Sequence, residues 1–316
     1  MNSIIAAVQQ HAQQEPDRPA LLFADQIATY GQLYADTEHF AQALITWGLR
    51  SSERVGLFLD NCPEFVTAYL GTHLAAGIVV LINTQYRQIE LSHIINDAAV
   101  RLCVTTAKGA QELSRLSLPT LTMLVVVDDD ANTSPSDTIE YITYAAFVAG
   151  DNDNRVLPSP PSLPDTPAII AYTSGTTGKA KGALLLHRNL TANITAVTTA
   201  WHWTAQDRLL LVLPLFHAHG LMVGMHGTLF TGGSVVLRAK FDASDILTTV
   251  KNDPSITLFF GVPTMYTRLL AEAQRHEPPA HKLRLFVSGS APLSVQVFVE
   301  FERIFGQQIL ERYGMT

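Results

Sequence analysis

Apolar runs of four or five residues recur along this chain, separated by segments whose apolar positions fall three and four apart. The first half gives the runs Val55–Leu59, Ile78–Ile82, Arg101–Thr105 and Leu121–Val127, each the mark of a strand covered on both faces. Between and before them, helical spacing predicts helices over residues 3–14, Gln32–Trp47, Pro63–Ala76 and Glu90–Ala98. Gly48 and Gly77 act as stops, and Pro63 sits at a helix start. Ala20–Phe23 and Ile27–Tyr30 suggest a small hairpin. A polar connection, 128–167, carries RVLPSPPSLPDTP and one apolar patch, Tyr141–Val148, which predicts a short helix. The second half repeats the alternation. Strands are expected at Ala168–Tyr172, Leu209–Leu213, Ser234–Leu237, Ile256–Phe260, Leu283–Val287 and Gln308–Glu311. Helices are expected at His187–Trp201 (with Asn189 as a possible cap), Leu221–Leu229, Ser244–Lys251, Thr264–Ala273 and Val295–Phe305. Such alternation predicts an α/β fold with doubly wound, mostly parallel sheets.

The stretch after Tyr172 departs from this regularity. It reads TSGTTGKAKG: Thr173, Ser174, Gly175, Thr176, Thr177 and Gly178, then Lys179, Ala180, Lys181 and Gly182. Glycines permit the left-handed backbone that turns N–H groups toward an anion, while hydroxyls and two lysines add donors and charge. After a buried strand, this composition reads as a phosphate cradle; the plain alternative is a flexible surface turn. The nucleoside-triphosphatase P-loop spacing is not met, because Ala180 stands where its second glycine would fall. The dinucleotide Gly-x-Gly-x-x-Gly pattern does not occur.

Composition narrows the partners. The 316 residues are 47% hydrophobic and 16% charged, with a formal net charge of −7 and no basic block, which argues against nucleic acid. A polyanionic ligand would depend on local charge, as the Lys179/Lys181 stretch offers. Cys62 and Cys103 lack metal-ligand spacing and fit thiols of a reducing compartment. The N-terminus has neither the basic start nor the cleavage site of a signal peptide, and no apolar run reaches about 18 residues. The expectation is a cytoplasmic protein without membrane insertion.

Ligands of open α/β sheets sit beyond the carboxyl ends of the strands. Unusual loops stand there: TSGTTGKAKG, LFHAHG, GVPTMYTRL, SGSAP and ERYGMT. In this order, YTSGTTGKAKG (172–182), the histidine loop 214–220, SGSAPL (288–293) and ERYGMT (311–316) resemble the core motifs of the adenylate-forming superfamily. That superfamily comprises acyl-CoA synthetases, luciferases and peptide-synthetase adenylation domains. LPLFHAHGLM, GVPTMYTRLL and LRLFVSGSAPL look most like the malonyl-CoA synthetases within it. The resemblance implies the large N-terminal AMP-binding domain over 1–316, in two packed subdomains of roughly 1–190 and 191–316. It also implies a ligase that couples a small carboxylic acid, malonate favoured, to CoA through an acyl-adenylate, using ATP and Mg²⁺.

The same resemblance assigns roles. Residues 173–178 and Lys181 would hold the β- and γ-phosphates, with Thr173 near Mg²⁺ and Lys181 catalytic. Ala180 replaces the usual proline. Gly289, Ser290 and Ala291 would form a shelf for the adenine, and Tyr313, with Arg312 and Gly314 beside it, would cover its other face. Thr316 would offer a hydroxyl to the α-phosphate. His217 would lie at the floor of the acyl pocket as a catalytic and substrate-binding group, near Ser288; His217 or His219 could equally be a core histidine. Arg268 would pair bidentately with a second carboxylate, or else face solvent.

The family pattern continues past Thr316 with a metal-binding glutamate, a ribose-binding aspartate and a small C-terminal domain carrying a catalytic lysine. A fragment nearly inactive by itself is therefore expected. Two alternatives stay open: a CoA ligase for another short, medium or aromatic carboxylate, and a non-catalytic nucleotide-binding module.

Overall fold

The computed structural model describes residues 3–128, 139–150, 157, 165–173, 179–275 and 282–314. In chain order the first part runs α1 (Ile4–Gln14), β1 (Pro19–Phe23), β2 (Gln26–Thr29), α2 (Tyr30–Trp47), β3 (Arg54–Phe58), α3 (Pro63–Leu74), β4 (Ile78–Leu81) and α4 (Gln88–Asp97). It continues β5 (Leu102–Thr105), α5 (Ala107–Ser114), β6 (Met123–Val126), β7 (Glu140–Thr143), α6 (Tyr144–Ala149), β8 (Pro167–Thr173), β9 (Lys181–Leu186) and α7 (His187–Ala200). The remainder is β10 (Arg208–Leu211), a π-helical turn His219–Met225, α8 (His226–Thr231), β11 (Ser234–Leu237) and α9 (Ala243–Asn252). Then come β12 (Leu258–Gly261), α10 (Pro263–Ala273), β13 (Leu285–Ser288), α11 (Val295–Phe305) and β14 (Ile309–Glu311).

The strands form two seven-stranded sheets, ordered β7-β6-β5-β3-β4-β8-β9 and β14-β13-β12-β10-β11-β1-β2. Parallel ladders dominate both, so the predicted α/β, doubly wound fold is the observed one. The reason is visible in burial: every residue of β4, β5, β6, β11 and β12 is buried. A strand covered on both faces has no use for alternating polarity. The chain divides into two compact units, one of Met1–Arg18 and Thr29–Asn193, the other of Pro19–Ala28 and the residues from Ile194 onward.

Local signals set the helix ends. Thr29 caps α2 in a capping box with Gln32, and Gly48, at φ 103°, closes it. Asn189 does not cap α7 from outside; it lies in the first turn and accepts from the Leu186 N–H at 2.9 Å. Three elements depart from expectation. The helix α5 follows β5 with only Thr106 between them. The strand β7 precedes the short helix α6, so the patch read as one helix serves as both. The strand β9 occupies what reads in sequence as the end of a loop, pairing antiparallel to β8 with Thr173 opposite Lys181.

Each unit has its own core. In the first, Phe58, Ile94, Ile95, Val104 and Leu124 are among the wholly or nearly wholly buried side chains. In the second, Phe259, Tyr266, Phe286 and Phe301 pack edge to face under α10 and α11, and the Tyr266 hydroxyl donates to the Val287 carbonyl at 2.7 Å.

Candidate nucleotide and acid site

In the first unit, the cradle grows from a hairpin. Thr173 and Lys181 are directly paired across β8 and β9, and both side chains are exposed. Ser174, Gly175, Thr176, Thr177 and Gly178 lie outside the described residues. Gly182 serves the hairpin in a way its composition does not announce. It is an extended strand residue opposite Tyr172, and an added Cβ would sit 2.9 Å from Ile170 Cγ2 and 3.1 Å from Tyr172 Cζ. The missing side chain lets the Tyr172 ring lie across the ladder. The Tyr172 hydroxyl then donates to Asp97 Oδ2 at 2.6 Å, and His93 Nε2 lies 2.8 Å from the Ala180 carbonyl.

The second unit reverses strand order at β10, whose neighbours are β11 and β12. Connections leave this point in opposite directions and open a crevice beyond the carboxyl ends. The loop after β10 brings His217 and His219. His217 is exposed, its ring 4.7 Å from that of Phe216, and desolvation holds its pKa below the ordinary 6.5. His219 is buried against Phe260 of β12, ring centroids 6.0 Å apart. Burial, with the Arg312 guanidinium adding to it, lowers its pKa to about 4, so the ring is neutral at pH 7.

The turn after β13 packs on that ring. An added Cβ at Gly289 would stand 3.0 Å from both His219 Cε1 and Arg312 Cγ. Ser290 adopts a left-handed backbone, φ 70°, and its Oγ lies 3.4 Å from His219 Nδ1. A non-glycine residue in that region stores strain, which persists where neighbours over-determine the position. Ser288 is fully buried. Arg312 continues the ladder, its N–H donating to the Ser288 carbonyl at 2.8 Å, and Glu311 Oε1 accepts from the Leu293 N–H at 2.8 Å. Between turn and strand end lies a cavity of about 430 Å³ lined by Ser290, Ala291, Pro292, Glu311, Arg312, Tyr313 and Gly314. Tyr313 stands 87% exposed at its mouth, free to move onto a planar ligand.

Arg268 lies on the exposed side of α10, opposite buried Tyr266, Leu269 and Leu270. Its guanidinium carbon sits 5.1 Å from the Phe241 ring centroid, a cation–π contact that leaves the N–H fork available. The geometry thus joins Ser290, Ala291, Arg312, Tyr313 and Gly314 around one cavity, sets Gly289 against His219 and Arg312 beside it, and pairs Thr173 with Lys181. Thr316 lies outside the described residues. His219, Glu311, His93 and Asp97 carry site contacts that sequence reasoning did not assign.

Residues 8–316 match the family described as AMP-binding enzyme. A malonate–CoA ligase of Arabidopsis thaliana is 34% identical over 289 residues, which cover 85% of this chain and 46% of that protein. A long-chain-fatty-acid–CoA ligase of Bacillus subtilis is 30% identical, covering 95% of this chain and 57% of its own. ATP-bound MatB from Rhodopseudomonas palustris superposes with a TM-score of 0.85 at 30% identity, over 99% of this chain and 60% of MatB. The chain therefore spans about half the length of the curated relatives it matches. No helix among the described residues is long and apolar enough to cross a membrane. By the match over residues 8–316, the chain belongs to the AMP-binding enzyme family.

Proposed function

We propose that the protein is an AMP-forming carboxylate–CoA ligase whose acid is malonate or methylmalonate. The observation that carries the nucleotide part is the cavity beside the Gly289–Ala291 turn. Ser290, Ala291 and Pro292 of that turn line one side, the partly desolvated Arg312 lines another, and the exposed ring of Tyr313 completes the lining. A flat, polar ring such as adenine suits that shape. Family membership and the malonate–CoA ligase likeness support the chemistry.

A carboxylate is a poor electrophile, and the reaction cures this in two balanced steps. A carboxylate oxygen attacks the α-phosphorus of ATP, the bond from that phosphorus to the pyrophosphate oxygen breaks, and an acyl-adenylate forms. The thiolate of CoA then attacks the acyl carbon, the bond to AMP breaks, and the thioester remains. Lys181, with Ser174, Gly175, Thr176, Thr177, Gly178 and the Thr173 hydroxyl, would hold the phosphates and balance charge as pyrophosphate departs. Thr316 would bond the α-phosphate. His217, its pKa below the ordinary value, would meet the carboxylate as a neutral hydrogen-bond donor. Ser288 would line the same region from beneath the turn.

One neutral hydroxyl, Thr173, suits Mg²⁺ carried mainly on phosphate oxygens rather than caged by protein. When bound, the ion would screen the phosphate charge. Arg268, whose fork is unpaired among the described residues, would take the second carboxylate of malonate. A second reading, a ligase for a monocarboxylic acid with Arg268 facing solvent, draws on its exposure and on the fatty-acid ligase likeness.

Calorimetric titration of the chain with Mg·ATP, then with malonate and with acetate, tests this. ATP binding with malonate preferred over acetate is the expected result. Equal or absent malonate binding in the presence of ATP would discard the dicarboxylate assignment, and a folded chain that binds no nucleotide would discard the nucleotide site.

A further inference from the structure

The cradle hairpin is tied to a single helix at both of its stems. On the entering strand β8, the Tyr172 hydroxyl donates to Asp97 at 2.6 Å. On the leaving side, the Ala180 carbonyl, which lies between Lys179 and Lys181, is 2.8 Å from His93 Nε2. His93 and Asp97 are four apart on α4, so one helical turn sets them on the same face, over the two stems. The rings of His93 and Tyr172 meet edge-on at 6.1 Å and 81°, closing the set. Next to them lies a cavity of about 1000 Å³, with Asn96, Leu116 and Lys179 among its lining residues. Behind it, Ile170 and Tyr172 pack against the core that holds Leu91, Ile94 and Ile95 of α4, so the hydrogen bonds at the cavity's edge add direction to a stem already anchored.

We propose that His93 and Asp97 are positioning residues for the phosphate-binding lysines. Through Ala180 and Tyr172, they fix the direction in which Lys179 and Lys181 leave the β8–β9 stem. This rests on the nucleotide reading above. A carbonyl can only accept, so the Nε2 that faces it carries a proton and His93 acts there as an N–H donor. Asp97, Lys179 and Lys181 are exposed and His93, Tyr172 and Ala180 half-buried, so these bonds lie at the edge of the core rather than within it. Their effect falls on where the lysine charges stand when a polyphosphate arrives.

The experiment compares two probes on the same chain, Mg·ATP and AMP, by calorimetry. AMP lacks the β- and γ-phosphates that the lysines would meet. Expected is a loss of Mg·ATP affinity of about fivefold for each of His93→Ala, Asp97→Asn and Tyr172→Phe, the size of one hydrogen bond. AMP affinity and melting temperature should be unchanged. His93→Gln, which keeps an N–H at nearly the reach of Nε2, should restore Mg·ATP binding. A variant set that loses ATP and AMP affinity together would assign the contacts to general folding and overturn the proposal. Unchanged ATP affinity in all three variants would overturn it too, as would binding of AMP but not ATP by the unsubstituted chain. If that chain binds neither nucleotide, the nucleotide reading fails and this inference falls with it.

Discussion

At the amino end of the second unit's sheet, Asp207 accepts from the Thr204 N–H, the Thr257 hydroxyl and two nitrogens of Arg284, at 2.8–3.0 Å. Beside it, Arg208 bonds Ser234 and Asp253, both at 3.1 Å. Those residues stand at the starts of β10, β11 and β13 and just before β12, so each polar group finds its partner inside the frame. At the carboxyl end of the same strands the accounting is left open. The Nε2 of His219 and the Oγ of Ser288 are buried without a hydrogen-bond partner among the described residues. Ser290 is in the left-handed region, and the fork of Arg268 lies over a ring rather than on a carboxylate. Unmet polar groups cost stability, and natural structures keep them chiefly where something else will meet them. One end holds the strands, and the other leaves polar groups unmet where the proposed ligand would sit.

The largest test of this contrast is at the saturated end. Asp207→Ala removes a carboxylate whose side chain is 4% exposed and leaves Arg284 without its ion pair. Breaking such a pair costs about 3 kcal/mol, the lower part of the usual range because the Arg284 side chain is 38% exposed. A urea titration should show the fall in midpoint, and nucleotide affinity per folded molecule should stay the same. A loss of affinity without loss of stability would erase the distinction between the ends.

Acid should act on the open end next. In the folded chain burial lowers the pKa of His219 to about 4, against 6.5 in its absence. Below pH 6.5 the unfolded chain therefore takes up the proton first. The stability tied to neutral His219 is complete above pH 6.5 and is lost as pH falls toward 4. By pH 5 this amounts to roughly 2 kcal/mol. His187, buried in the first unit beside His73 and lowered likewise to about 4, adds a comparable share. Urea midpoints at pH 7 and pH 5 measure the slope, and His219→Gln should flatten it by about half. A slope unchanged in that variant would mean His219 titrates as an exposed histidine.

Gly289→Ala should act on ligand more than on fold. The new methyl meets His219 and Arg312 at 3.0 Å, and Arg312 can swing aside while the ring cannot. Overpacking of this kind costs about 1 kcal/mol. Displacing Arg312 disturbs a side chain that lines the cavity, so AMP affinity should fall by about tenfold, the equivalent of about 1.4 kcal/mol. Equal AMP affinity in the two proteins would move the ligand off this turn.

These regions differ in how far the sequence announces them. The buried strands are legible because an apolar run needs no partner to be recognised, and the strand-end loops because small residues, hydroxyls and charges cluster in plain view. The strand β9 is not, since KGALLL alone reads as the tail of a loop and only its ladder with β8 makes it a strand. Nor does anything in PALLF reveal that β1 pairs with β11, Leu21 against Val235. The ties from α4 to the cradle join residues 75 and 87 apart, a separation at which the side chains carry no local trace of one another. Sequence shows which groups are available, and packing decides which of them meet.

The smallest effect on the fold, and the sharpest on the choice of acid, belongs to Arg268. Its guanidinium lies on the exposed face of α10, over Phe241, so Arg268→Ala should change stability by less than about 0.5 kcal/mol. If the fork takes the second carboxylate of a dicarboxylic acid, the same change removes a charge-assisted pair, worth about 2 kcal/mol or some thirtyfold in malonate affinity. Acetate, with one carboxylate, should bind the variant and the parent alike. Arg268→Lys separates charge from geometry, because an ammonium keeps the charge but cannot form two parallel bonds to one carboxylate. Partial recovery of malonate binding in the lysine variant would point to a bidentate fork, and full recovery to a simple charge. Malonate affinity unchanged in Arg268→Ala would leave the arginine to solvent and Phe241, and the unmet groups at the carboxyl end would then belong to the nucleotide alone.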